Sequence, residues 1–226
     1  GDWLKIVIKK ISEIKKRKKI PILVGGTGLY FKALTEGLVE IPLIPIKFRN
    51  KIRLIHKSIG QDEFYKKLIK LDPLINNHIN SKDSQRSIRA YEVKLFTKKS
   101  ITEWYKNTKS NFKKKNFLKL YLDHPRQELV EKINLRTQNM LDTGVILEVK
   151  KFLKLRVSRE KSISKAIGIA EIKEFIKKKI SQEDVIEKIS IKTRQYAKRQ
   201  VTWARGHMIG WKKIKPNRLN NFLKKI

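Results

Sequence analysis

The stretch Ile20-Pro21-Ile22-Leu23-Val24-Gly25-Gly26-Thr27-Gly28-Leu29-Tyr30-Phe31 constrains the chain more than any other. An apolar run ends in glycines and a threonine, and a helical pattern follows. That order predicts a buried strand over 20–24, a tight turn, and a helix over 28–36 that stops near Gly37. A strand that feeds a helix belongs to an α/β layer with a mostly parallel sheet. Backbone N–H groups at such a turn can face an anion, because glycine permits close approach and the helix end carries partial positive charge. The turn is not a Walker A loop, since no Gly-Lys-Ser/Thr follows at the required spacing. It is not a dinucleotide fingerprint either, because the third glycine of G-x-G-x-x-G would fall on Phe31. On these residues alone, a phosphate cradle and a turn without a ligand stand about even.

The chain has 226 residues, of which 40% are hydrophobic, so a core can form. It contains no cysteine, which excludes a disulfide scaffold or thiolate metal site and fits a reducing compartment. A cytoplasmic location is therefore expected. No apolar run reaches the ~18 residues of a membrane span, and no membrane partner is expected. The chain opens Gly1-Asp2-Trp3-Leu4 and turns lysine-rich without a secretory apolar stretch. Residues 3–19 read as an amphipathic helix already in progress (Leu4, Ile8, Ile11, Ile14), so the chain is expected to be entered part-way through. The net charge of +34 points to a polyanionic partner, with nucleic acid ahead of an anionic membrane surface. Lysine, isoleucine and asparagine dominate together, and a biased genome would produce that charge without selection for binding. Places where arginine gathers with glutamine and aromatic residues are more informative.

Ile41-Pro42-Leu43-Ile44-Pro45 is a rigid extended connector, since each proline disfavours helix before it. Residues 46–106 then read as wholly helical. Asp83-Ser84 caps a helix over 85–97, and Ser100 or Thr102 caps one more turn. Residues 108–115 are a polar loop, and 117–123 return to strand character. Pro125 opens a helix to Leu141, Gly144 breaks it, and another runs to Leu155. A basic loop over 156–164 precedes a helix over 165–178 that includes Gly168. Ser181 caps a long helix over 183–205, followed by a short strand within 208–214 and a helix over 217–225. The expected organisation is part of an α/β core over 1–44, an inserted all-helical domain over 45–110, and a return to the core with C-terminal helices over 111–226.

Three clusters carry candidate chemistry. Gln85-Arg86-Ser87-Ile88-Arg89 sets two guanidiniums one turn apart beside a glutamine, which suits phosphate and base-edge contacts, although a solvated face explains it as well. In Thr193-Arg194-Gln195-Tyr196-Ala197-Lys198-Arg199-Gln200-Val201-Thr202-Trp203-Ala204-Arg205, basic residues interleave with rings. Arg194, Lys198 and Arg205 fall within roughly 40° of each other on a helix. Cations for phosphate and flat groups for unstacked bases are what an RNA-binding face needs. Third, Arg136 lies alone on the otherwise neutral helical stretch 133–141 and could reach an anionic ligand. No catalytic carboxylate pair is evident, and His56, His78, His124 and His207 have no metal-site spacing.

The whole chain resembles the bacterial-type tRNA dimethylallyltransferase (tRNA isopentenyltransferase) family. The resemblance is carried by Pro21 to Tyr30 with Leu34 to Leu38, Gln85-Arg86 through Arg89-Ala90, Met140-Leu141 to Gly144, Ala166-Ile167-Gly168, and Thr193 to Trp203, in the family's order and at comparable spacing. It implies a P-loop-NTPase-like α/β core with an inserted helical domain. It implies transfer of a dimethylallyl group from dimethylallyl diphosphate to N6 of the adenosine 3′ of the anticodon, assisted by Mg²⁺. The base is flipped out of the anticodon loop, since a stacked base offers no access to that nitrogen. The implied partners are the tRNA anticodon stem-loop and the prenyl diphosphate, with the protein expected as a monomer. By position, the resemblance makes Thr27 and Arg136 catalytic, with Thr27 on the target nucleotide and Arg136 binding the diphosphate. It makes Arg49, Gln85, Arg86, Ser87, Ile88 and Arg89 tRNA contacts of the inserted domain. Lys165, Ala166, Ile167 and Gly168, and Lys198, Arg199, Gln200, Val201, Thr202, Trp203 and Arg205, become tRNA contacts of the C-terminal helices. After Gly168 the family usually has an aromatic and then a polar or basic residue; here these are Ile169 and Ala170. The family's Gly-Lys-Ser/Thr loop and its general-base Asp motif do not occur in this sequence. The core is accordingly expected to be incomplete, with N-terminal strands and the main Mg²⁺ site missing, and the chain inactive by itself. The other expectations are a non-catalytic RNA-binding remnant of that enzyme, or an adenylate isopentenyltransferase acting on free nucleotide.

Overall fold

The computed structural model describes residues 2–158 and 161–224. Arg159 and Glu160 in the expected basic loop, and Lys225 at the end of the expected terminal helix, lie outside the described residues. The chain is a mostly helical α/β protein with a small parallel sheet. It divides into two compact units: residues 1–23 with 29–117, and residues 24–28 with 118–226.

The first unit is helical. α1 (Asp2–Lys16) and α2 (Gly28–Glu36) follow the expected spans, and Trp3 of α1 stacks on Tyr30 of α2 with ring centroids 4.2 Å apart. α3 (Ile46–Leu71), kinked at Gly60, packs along α4 (Ser84–Thr97). Leu68 of α3 meets Ala90 and Val93 of α4 in a core completed by Ile44, Ile75 and Ile101. Each apolar set repeats at helical spacing, so the two stripes can close against each other. α3 stops at Asp72-Pro73, where proline can only begin the short 3₁₀ turn Pro73–Ile75. Asp83 caps α4 by accepting the Arg86 amide at 3.0 Å. Ser100 and Glu103 form a capping box at α5 (Ile101–Lys106), which settles the choice between Ser100 and Thr102.

Residues 20–24 do not form the expected strand. Ile20, Ile22 and Val24 are 81%, 79% and 90% exposed, all on one side of an extended segment. A strand exists only by hydrogen bonding to a neighbour, and among the described residues the single ladder is made elsewhere.

That ladder is in the second unit. β1 (Leu120–Leu122) runs parallel to β2 (Lys212–Ile214), with Leu120 opposite Lys212 and Leu122 opposite Ile214. Parallel strands need a long crossover, here supplied by helices. α6 (Arg126–Asp142) begins after Pro125, and α7 (Val145–Lys154) starts beyond Gly144. α8 (Ile169–Ile176) and α9 (Gln182–His207) follow, and α10 (Leu219–Leu223) comes after β2. Leu141, Val149, Ile172, Val185 and Ile189 make the core of this unit. α9 packs along α6 and α8. No helix among the described residues is long and apolar enough to cross a membrane.

The helix expected over 165–178 starts later. Gly168 has φ 106°, outside the helical region, and stands before α8 as its N-cap. Its N–H donates to Glu171 Oε2 at 3.0 Å, and Lys192 of α9 donates to the other oxygen of the same carboxylate. Glu171 is buried, which works against its charge, but the Lys192 ammonium and the two amides at the helix start hold its carboxyl below the usual range. A lowered folded-state value means that Glu171 contributes stability above its unfolded value, and that this is lost as pH falls through the folded value. Glu171→Gln is expected to cost about 1–3 kcal/mol at neutral pH. It is also expected to lose less stability than the parent below pH about 4, near the ordinary glutamate value, in urea unfolding measured across pH.

Candidate functional site

The turn that carries Thr27 is held by α9. Gln200 Nε2 donates to the Gly26 carbonyl at 3.0 Å. One helical turn on, the Trp203 ring lies against Gly28 so closely that a Cβ there would sit 2.0 Å from Trp203 Cε3. No side chain but hydrogen fits at that position. Trp203 is backed by His207, whose ring stacks on it at 4.4 Å and 5°, with Nδ1 3.0 Å from the Trp203 carbonyl oxygen. Thr27, between the two held glycines, is exposed. The sequence reading takes Gln200 and Trp203 as RNA contacts; the structure adds that both engage the turn, 174 residues away for Gln200.

α6 carries Arg136 on an exposed position, with no ion pair among the described residues. Its neighbour Thr137 is buried and donates Oγ1 to the Ile133 carbonyl at 2.8 Å, which fixes that face of the helix inward. Because α6 packs on α9, the helix bearing Arg136 and the turn bearing Thr27 share one support. Along α9, Lys198, Arg199, Thr202 and Arg205 are exposed and Val201 is half-buried. The Arg199 guanidinium lies 5.8 Å from the Tyr196 ring centroid, a cation–π pair on the surface. Lys165, Ala166 and Ile167 are exposed in the segment before Gly168, which itself is buried.

In the helical unit, Gln85 and Arg86 are exposed at the start of α4, and Arg86 Nη1 lies 3.4 Å from Asp83 Oδ2. Ser87 is buried, with its Oγ 3.2 Å from Gln61 Nε2, and Ile88 is half-buried. Arg49 and Arg89 come together on one carboxylate that the sequence reading does not single out. Glu92 Oε2 is 3.3 Å from Arg49 Nε and 3.5 Å from Arg89 Nη1, and Oε1 is 3.9 Å from Arg53 Nε. Glu92 is 1% exposed. The three-residue spacing from Arg89 to Glu92 on one helix is a legible signal; the pairing across to α3 is not.

Among the described residues, no group of three or more His, Cys, Asp or Glu side chains is gathered to hold a metal ion.

The IPP transferase family matches residues 1–207. The tRNA dimethylallyltransferase of Pelagibacter ubique is 56% identical over 226 residues, all of this chain and 72% of that protein. The Allorhizobium ampelinum protein of the same name is 39% identical over 220 residues, covering 96% of this chain and 72% of that one. Among solved structures, a eukaryotic dimethylallyltransferase acting on tRNA aligns with a TM-score of 0.78 and 27% identity, over 99% of this chain and 59% of that one. The full-length tRNA isopentenylpyrophosphate transferase of Bacillus halodurans aligns with a TM-score of 0.57 and 30% identity, over 95% of this chain and 66% of that one.

The seating of Trp203 on Gly28 predicts strong coupling between the two positions. Gly28→Ala forces the ring away, and Trp203→Ala removes the obstacle. In urea unfolding, each single variant is expected to be destabilised. The double variant should be less destabilised than their sum by roughly 0.5–3 kcal/mol, the range for residues in contact. Strict additivity would mean that the close approach has no energetic weight.

Proposed function

The chain belongs to the IPP transferase family of prenyl-transferring enzymes, and on that premise we propose that it binds the anticodon stem-loop of tRNA and serves transfer of a dimethylallyl group from dimethylallyl diphosphate to N6 of the adenosine 3′ of the anticodon. The observation that carries this reading is the support of the Thr27 turn by α9, the helix on which the Arg136 helix also packs. A reaction between a nucleobase and a diphosphate ester needs both held in one frame, because a misplaced near-attack geometry costs rate steeply.

In this reading the target adenosine leaves its stack and meets Thr27, whose hydroxyl can both donate and accept a hydrogen bond. The N6 nitrogen attacks the allylic carbon of the donor as the carbon–oxygen bond to diphosphate breaks. The bond pair leaves with the diphosphate, and N6 gives up one proton. Arg136 receives the departing charge: its guanidinium is always protonated and forks onto phosphate oxygens. Magnesium would offset diphosphate charge, but the described residues gather no ligand set for it, so each role here is assigned to side chains. The exposed cations of α4 and α9 contact the RNA backbone.

Two measurements test the reading, with tRNA and dimethylallyl diphosphate as substrates. Arg136→Ala should lower the rate of dimethylallyl-adenosine formation by about 10²–10³-fold, the loss for one preorganised electrostatic contact, with tRNA affinity unchanged. Arg86→Ala with Arg89→Ala should weaken tRNA binding and flatten its dependence on salt by about two, one for each phosphate contact. A double variant that binds like the parent at every salt concentration removes α4 from the RNA interface. A parent chain that does not bind tRNA overturns the whole reading.

A further inference from the structure

Three guanidiniums from two helices meet one buried carboxylate in the helical unit. Arg49 and Arg53, four residues apart on α3, reach Glu92 from one side, and Arg89 reaches it from its own helix, α4. Four residues is one helical turn, so Arg49 and Arg53 lie one above the other on the same face. Glu92 is 1% exposed, whereas the arginine side chains are 36%, 53% and 41% exposed in the order Arg49, Arg53, Arg89. The carboxylate is thus at the back of the cluster and the cations are at the front. Arg49 and Arg53 both face Glu92 through Nε, so each keeps its two terminal amino groups for another acceptor. Three cations against one carboxylate leave two positive charges without a counter-charge, and no other carboxylate pairs with these arginines among the described residues. Arg49 Nε and Glu92 Oε1 are buried and meet no hydrogen-bond partner in good geometry. A buried polar group left in that condition is costly. An incoming anion that draws the guanidiniums into line would relieve it.

We propose that Arg53 is a further RNA-contacting residue, and that Glu92 is the positioning residue that fans Arg49, Arg53 and Arg89 into one cradle for a backbone phosphate of the RNA. The inference deepens the functional reading above and rests on it. A phosphodiester offers two unesterified oxygens, which fits paired guanidinium forks better than scattered lysines would. Glu92 makes no contact with RNA. It limits the mutual repulsion of the arginines and fixes their directions.

The test is a salt titration of binding to an anticodon stem-loop RNA, with thermal unfolding of each variant as the control for folding. Arg53→Ala, at an exposed position, should weaken binding about tenfold at low salt, as for loss of one charge-assisted hydrogen bond, and should lower the salt slope by about one. Glu92→Gln raises the net charge by one, so charge alone would tighten binding; positioning requires that it weaken instead, with the salt slope reduced. Arg53→Lys should recover only part of the affinity, because an ammonium is a point charge without a fork. If Arg53→Ala binds like the parent while the Arg86→Ala/Arg89→Ala double variant is impaired, the cradle is wrong and the functional reading stands. Tighter binding by Glu92→Gln also overturns the cradle. Should Glu92→Gln fail to fold, the two Arg53 variants decide the matter. Loss of RNA binding by the parent itself removes the reading and the cradle together.

Discussion

The contact of the Trp203 ring with the bare backbone at Gly28 is the constraint on which the arrangement around Thr27 depends. It explains a glycine by what occupies the missing side chain's space rather than by backbone freedom. It also gives the long helix α9 a second task. A helix of this length in a small unit is held chiefly by the apolar stripe it buries, here Val185 and Ile189 against α7 and α8 in its first half. The second half has Ala204 as its buried residue and leaves most other positions open. Its order therefore depends on the amide of Gln200 and the ring of Trp203 meeting the turn. The same residues that look free to meet a ligand are also those that hold the support in place.

Both units use a buried carboxylate to organise positive charge, and they do it in different ways. Glu171 is satisfied by a backbone amide and one ammonium, and it stitches the start of α8 to α9. Glu92 is surrounded by three guanidiniums in imperfect hydrogen-bond geometry. The first is a closed arrangement that fixes two helices together. The second is open, because the cations outnumber the carboxylate and face solvent. Burying an ion pair seldom stabilises a fold by itself, and an excess of like charges at one point adds repulsion. An open cluster of this kind is better explained by what it binds than by what it holds.

Helices were legible in the sequence because their signals are local. Asp83, Ser100 and Ser181 mark their helix starts by side-chain chemistry within three residues, and Gly144 marks a break in the same way. The stretch 20–24 was misread because its alternation of Ile20, Ile22 and Val24 states only that an extended conformation is favoured. Whether an extended segment becomes a strand is decided by a partner, and partnership is not a local property. Gly168 was placed inside a helix because periodicity runs through it; its backbone angle shows that the helix begins beyond it. Of the candidate site, the residue types and their order were readable, as were Thr27 and the basic face of α9. The links from Gln200 to Gly26 and from Arg49 to Glu92 were not, since each joins residues far apart in the chain.

The two-point grip of α9 on the glycine turn has a consequence for how such a chain can change in length. Gln200 and Trp203 occupy one edge of a continuous helix whose start is pinned by Ser181 and Asp184. One inserted or deleted residue between the cap and Gln200 rotates that edge by roughly 100°. Both side chains would then point away from the turn together, and the core residues Val185 and Ile189 would have to choose between their own packing and the distal contact. Length change is therefore forbidden within α9, whereas the polar loop over 108–113 absorbs it at little cost. Related chains should differ in size between their helices and keep this one helix at constant length.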